Sequence, residues 1–331
     1  MSKTLFFLWV MLAGGCTGEK TSPSERFVLR DGQSPVGEIK HIESLGRDTL
    51  LVLDNGGKIY LFVRFELKKT VGKKGKGPGE YNAVSHFAVS GDTLYVLDRT
   101  LSKLIAYSIS DEIWYDEITS PELAQFTAFV RIRGVFYFCS SLYTTATEPD
   151  RQLLYRFEKH DGATPLGVTI ASLNISPLST VVQGILPIRT QGSLLTACFP
   201  FASQMLVYDT DVDTFTTIRM PVELRSLSGS TKTTDMSTVL KFIASTEFIM
   251  GVYPRQKWIA FVTKRGQGEK TEWSIKYITA SGDFIGQHKA DSYVFHVDEE
   301  RVLRYAVSQD TGTNFPHEVI DEKNQFVKRF L

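Results

Sequence analysis

"DTLLVLD" at residues 48–54 and "DTLYVLD" at residues 92–98 differ at one position, Leu51 against Tyr95, and begin 44 residues apart. Each reads as a strand ending in an aspartate, followed by a short polar turn and a second strand, "IYLF" in the first copy and "LIAY" in the second. A period of roughly 40–50 residues built from strand pairs is the mark of propeller blades. Weaker copies follow: "GVFYFCSS" before "RQLLYRFEKHDG", "GSLLTACFPF" before "SQMLVYDTDVDTFTTI", "KWIAFVTKRG" before "WSIKYITASGDFIG", and "RVLRYAVSQD" before "HEVIDEKNQFVKRF". That makes six units, each long enough for four short strands; in the second unit these are "HFAVS", "TLYVL", "KLIAY" and "EIWYDEI".

Closure gives this pattern its physical sense. A four-stranded sheet cannot bury both faces alone, whereas a ring of sheets packs face to face and leaves only short edges. The expected fold is therefore all-β, a six-bladed β-propeller of four-stranded antiparallel blades over residues 26–331, with "RFVL" (26–29) pairing to the last blade. One helix is expected, in "DMSTVLKFIAS" (235–245).

Composition fits this fold. Lys+Arg and Asp+Glu both number 37, so no global field draws the chain to nucleic acid, and a 12 % aromatic content argues against disorder. The chain is expected to be a monomer.

The first residues read differently. "MSKTLFFLWVMLAGGC" has one cation, Lys3, then an apolar run over 5–13 that is too short to span a bilayer as a helix. It ends in small residues and Cys16, an arrangement that resembles the bacterial lipobox. Residues 1–15 are thus expected to be a signal peptide and residues 16–25 a tether lipidated at Cys16, small and polar as a flexible linker should be. An ordinary secretory signal with an incidental Cys16 is the alternative. Cys139 and Cys198 lie in apolar runs, either as small buried hydrophobes or as a disulfide.

Between the first two units lies "GKKGKGPGEY" (72–81). It is no phosphate-binding loop, because Pro78 stands where the lysine is needed, and no dinucleotide fingerprint, because Glu80 replaces the third glycine. With "LLVLD" before it and "LYVLD" after it, the segment resembles those of six-bladed β-propeller lipoproteins of Gram-negative bacteria, relatives of NHL-repeat and TolB-like propellers. The resemblance implies the fold and an envelope location and little mechanism; Thr17, standing after Cys16 where an aspartate would favour inner-membrane retention in lipoproteins, gives the outer membrane as the expected location. Two readings of the segment stand. In one, the glycines and Pro78 shape a turn and Tyr81 packs between blades. In the other, Lys73, Lys74 and Lys76, with Lys68 and Lys69, attract an anionic group.

The search for chemistry finds no zinc spacing among the six histidines and no G-x-S-x-G elbow, so no catalytic residue, metal ligand or cofactor is assigned. His86 and His296 fall in or beside expected innermost strands and are candidate channel residues. Asp54 and Asp98 are expected to cap turns, and "SLSGSTKTTDMS" (226–237) is a loop or a lid over one channel mouth. Function then divides between a cell-envelope binding module for a peptide, glycan or envelope protein and a metal-dependent, lactonase-like hydrolase or lyase working in the channel.

Overall fold

The computed structural model describes residues 25–31, 34–36, 38–46, 48–111, 113–140, 150–173, 188–199, 202, 204–222, 241, 245–266, 271–307 and 317–330. They form six four-stranded antiparallel sheets, each built from strands in sequence order. Blade 1 comprises Ile39–Ser44, Thr49–Asp54, Ile59–Val63 and Glu66–Val71, and blade 2 His86–Ser90, Thr93–Asp98, Lys103–Ser108 and Trp114–Thr119. Blade 3 comprises Phe126–Ile132, Val135–Ser140, Leu154–Glu158 and Gly162–Pro165, and blade 4 Ile188–Gln191, Leu194–Cys198, Gln204–Asp209 and Thr214–Arg219. Blade 5 comprises Glu247–Pro254, Trp258–Arg265, Glu272–Thr279 and Phe284–Ala290. Blade 6 takes Tyr293–Val297, Arg301–Val307 and His317–Lys323 from the end of the chain and Glu25–Val28 from its beginning.

First strands of successive blades touch around the ring, blades 1 and 2 through the His41 and Phe87 rings at 4.9 Å, so these six strands line a central channel. Because hairpins alternate direction along a blade, the turns after first and third strands lie at one end of the ring. The turns after second strands and the crossings between blades lie at the other.

The repeat that betrays the fold has a packing explanation. In "TLYVLD", Leu94 and Val96 face blade 1 and pack with Leu51, Leu53, Ile59 and Phe87. Tyr95 and Leu97 face the other way and pack with Phe126, Phe129, Phe136 and Phe138 of blade 3. A strand buried on both faces loses polar alternation and reads as a continuous apolar run. The aspartates that close these runs do what turn chemistry requires. Asp54 accepts from the backbone N–H of Lys58 (2.8 Å) and from Tyr60 Oη (2.9 Å). Asp98, fully buried, accepts from the N–H groups of Asn82 (2.6 Å), Ala83 (3.0 Å) and Leu101 (3.0 Å).

Ring closure occurs where "RFVL" placed it: Arg26 pairs with Ile320, Phe27 with Val319 and Val28 with Glu318. Phe27 also stacks on Phe65 of blade 1, with centroids 3.7 Å apart. The short segment Lys73–Lys74 pairs in parallel with Glu80–Tyr81, folding the inter-blade stretch back on itself. Cys139 and Cys198 are free and buried in one apolar cluster, and burial pushes both thiols up.

One expectation changes and three fall outside the described residues. The end of the last unit, where no helix is expected, forms the helix Gln325–Phe330, which turns back so that Phe326 stacks on Tyr277 of blade 5 at 4.3 Å. Asn324 accepts from the Val327 N–H (3.3 Å) at its start, the role of an N-cap. Residues 1–24, including Cys16, and the segment 226–237 lie outside the described residues, as does nearly all of 235–245.

Candidate functional site

The first strands of blades 1–4 enclose a cavity of about 400 Å³ running along the channel. It reaches from His86 to Gly91, Arg131 and Thr190, near the ends of their strands, so its mouth lies at the end carrying the turns after first strands. At that end hydrogen bonds join neighbouring blades on the other side of the ring. The Gln191 carboxamide, with its nitrogen toward Arg255 O (3.3 Å) and its oxygen toward the Gln256 N–H (2.7 Å), joins blades 4 and 5. Arg255 Nη2 donates to Val297 O (2.7 Å), joining blades 5 and 6, and Arg301 donates to the Gly46 carbonyl, joining blades 6 and 1.

At the heart of the cavity Arg189 of blade 4 reaches across to Glu43 of blade 1, Nη2 to Oε2 3.0 Å. Arg189 Nη1 donates to Ile188 O (3.1 Å), and its guanidinium carbon lies 5.6 Å from the Tyr253 ring centroid. His41 Nε2 stands 3.5 Å from the same Glu43 oxygen. The two side chains of the pair keep 23 % and 25 % of their surface accessible, so a molecule in the cavity can reach them. Burial alone would raise the Glu43 carboxyl, but Arg189 and His41 outweigh it and bring it down to about 2. Burial works against the charge of Arg189 too, and Glu43 more than restores it. Burial also raises the hydroxyls of Tyr253 and Tyr293 beside the pair, leaving them as neutral donors.

His86 stands apart from this network. It is 3 % exposed, its ring lies 6.0 Å from His41 and edge-on to Phe129 at 5.2 Å, and its Nδ1 has no hydrogen-bond partner. Burial, helped by His41 and Arg189 and opposed by Glu43, holds its pKa at about 3, so the ring is neutral. Toward the rim, Arg131 donates Nε to Gly134 O (3.3 Å) and Nη1 to Tyr95 Oη. Its guanidinium lies 4.9 Å from the Tyr95 ring and 5.4 Å from the Phe136 ring. Ser44 Oγ donates to the Gly46 carbonyl (2.9 Å) and so is engaged with backbone rather than with a base. Fixed charges, an orphaned imidazole and apolar walls of Phe87, Val89, Phe129 and Ile188 equip this space to bind.

The residues singled out in the sequence fall in three places. His86 lines the cavity. His296 sits on the first strand of blade 6, with Nε2 2.8 Å from Asp298 Oδ2. Burial would raise the Asp298 carboxyl, and His296 with the Arg301 and Glu300 N–H groups holds it low instead. Lys73, Lys74, Lys76 and Tyr81 lie in the inter-blade segment. There Lys73 pairs with Glu80 (2.7 Å), Lys74 donates to Gly56 O (3.1 Å), and Lys76 is exposed. Tyr81 is buried, donates to Val71 O (3.3 Å), and packs edge-on to Tyr107 at 6.5 Å. Among the described residues no three His, Cys, Asp or Glu side chains are grouped to hold a metal ion. His41, Glu43, Arg131, Arg189 and Tyr253 were not legible as site residues, since each sits in a first strand that carries no motif.

Comparison with known proteins places this architecture. A family model described as a 6-bladed beta-propeller matches residues 31–221. A crystal structure of a Bacteroides fragilis NCTC 9343 protein predicted to be exported superposes with a TM-score of 0.63 at 15 % identity, covering 91 % of this chain and 95 % of that one. The WD40 repeats of RRP9 superpose with a TM-score of 0.52 at 10 % identity, covering 85 % of this chain and 76 % of that one. A search of curated protein sequences finds no match.

Proposed function

The chain belongs to the six-bladed β-propeller family, and from that premise we propose that it is an exported, lipid-anchored envelope protein that binds a partner in its channel cavity. The single observation that carries the binding role is the 400 Å³ cavity, walled by rigid first strands and furnished with the Glu43–Arg189 pair. Such a space at a propeller mouth suits a peptide end or a sugar residue better than a broad protein face. The apolar run over 5–13 and Cys16 support export and anchoring, as does the likeness to the Bacteroides protein, itself predicted to be exported. The chain enters the ring at Glu25, opposite Asp321 near the end of the third strand of blade 6. That is the end where the cavity opens, so the tether leaves beside the mouth.

Val89→Trp places an indole in the cavity from a half-buried position at the border of the core between blades 1 and 2. Wild-type protein purified from its own envelope is expected to carry a small molecule or peptide, detected by mass spectrometry, that the Val89→Trp protein lacks. Equal cargo on both, or none on either, removes the channel as the binding site. Anchoring is checked separately: a fatty-acid probe should label wild type and not Cys16→Ser.

A further inference from the structure

The cavity lining carries two guanidinium groups, Arg131 and Arg189, and one carboxylate, Glu43. Glu43 is spoken for, with Arg189 at 3.0 Å and His41 at 3.5 Å. Arg131 has no carboxylate partner among the described residues; its contacts are a carbonyl, a phenol and two ring faces, none of which cancels its charge. The lining is therefore left with one uncompensated positive charge.

His86 is the second observation. Its Nδ1 is buried without a hydrogen-bond partner, and a buried polar atom left unpaired is costly, so the site gains from a partner that enters it. Nδ1 is closed off from the cavity as the ring stands, and a half-turn about Cβ–Cγ brings it to the opposite ring edge, where the neutral imidazole can present it as a hydrogen-bond donor. Its ring packs against the edge of Phe129, and Arg131, two residues along the same strand, lies on the same face about 7 Å further toward the mouth. Between the two stand the apolar walls of Val89, Val130 and Ile188.

We propose that the cavity recognises a monocarboxylate with an apolar body, its carboxylate held by the Arg131 guanidinium and by His86 Nδ1–H. A planar, singly charged acceptor matches one fork-shaped donor and one neutral N–H. A dianionic phosphate would leave a buried negative charge uncompensated, and an ammonium would face an unpaired arginine. Lys73 and Lys74 on the inter-blade segment offer no such arrangement, since they hold Glu80 and the Gly56 carbonyl. This inference rests on the channel cavity being the binding site.

The test titrates the full mature chain with benzoate, benzamide and benzylammonium, three probes of similar shape and different charge, by calorimetry and thermal shift. Benzoate is expected to bind at least about tenfold more tightly than the other two, the value of one charge-assisted hydrogen bond. Arg131→Gln should abolish that preference, Arg131→Lys should keep part of it, and His86→Phe should weaken benzoate alone. A benzoate affinity no greater than that of benzamide, unchanged by Arg131→Gln, overturns the proposal, as does the absence of binding by all three. If all three bind alike and Val89→Trp abolishes them together, the carboxylate class falls and the channel site stands. If benzoate binds equally well to Val89→Trp, the channel site itself falls.

Discussion

Glu43 and His86 give the channel a signature in its response to acid. The Glu43 carboxyl sits at about 2 in the folded protein against an ordinary value of 4.5. Its unfolded form therefore takes up a proton first, and the stability it contributes is present above pH 4.5 and is lost as pH falls toward 2. His86 sits at about 3 against an ordinary 6.5. The unfolded imidazole protonates while the folded one cannot, so stability falls as pH drops from 6.5 toward 3. Each group adds a slope of at most about 1.4 kcal/mol per pH unit inside its window. Denaturant midpoints measured across pH should therefore decline from near neutrality, and His86→Phe should flatten the decline between pH 6.5 and 4.5, make it shallower between 4.5 and 3, and leave the part below pH 3. A wild-type curve flat between pH 6.5 and 4.5 would contradict the buried, neutral state of His86. Arg189→Met leaves Glu43 inside the channel without its partner and should cost roughly 3 kcal/mol at neutral pH, read as a lowered midpoint. The sequence placed His86 in the channel because it opens a recognisable strand. Glu43 and Arg189 stayed hidden because their pairing joins blades 1 and 4 across the axis, and nothing in "HIES" or "PIRTQ" marks such a contact.

The inter-blade stretch 72–81 shows how one element can be dense in glycine for packing reasons. Gly79 has φ +63°, and a Cβ there would lie 2.2 Å from Trp114 Cγ. Its N–H donates to Glu117 Oε2 (2.9 Å) and its carbonyl accepts from Tyr107 Oη (2.7 Å), locking the stretch onto blade 2. Gly72, φ +75°, leaves room for Tyr81 and Tyr107 in the same way. Gly79→Ala should therefore destabilise by about 2–3 kcal/mol through both clash and backbone strain. Lys73→Gln with Lys74→Gln and Lys76→Gln should leave the melting temperature unchanged, because these side chains sit at the surface; a loss equal to that of Gly79→Ala would refute this division of roles. Asp98→Ala strips three backbone N–H groups of their acceptor and should cost about 2–3 kcal/mol. Strand pairs of blades 1 and 2 were readable because each ends in such an aspartate. Later blades lack it and were readable only as apolar runs. The C-terminal helix was missed although Asn324 stood at its start and Phe326, Val327 and Phe330 fall at helical spacing, because the segment is only six residues long and its docking on Tyr277 belongs to the neighbouring blade.

As a whole the ring is held by its two ends. Glu25–Val28 supplies the outer strand of blade 6, and Leu29 and Phe27 join it to blade 1. Removing residues 1–29 should broaden and lower the thermal transition, since blade 6 would lose its edge strand and the core shared with blade 1 would open; an unaltered, equally sharp transition would contradict closure by this strand. The architecture was legible from period and closure alone, whereas the site was not, since it exists only where four first strands converge. The most direct test of the account is a high-resolution crystal structure of the mature protein purified from its own envelope. It should show six blades and, in the channel, density larger than water lying between Arg131 and His86. A channel holding only solvent, with bound density on the surface of the 72–81 segment instead, would contradict it.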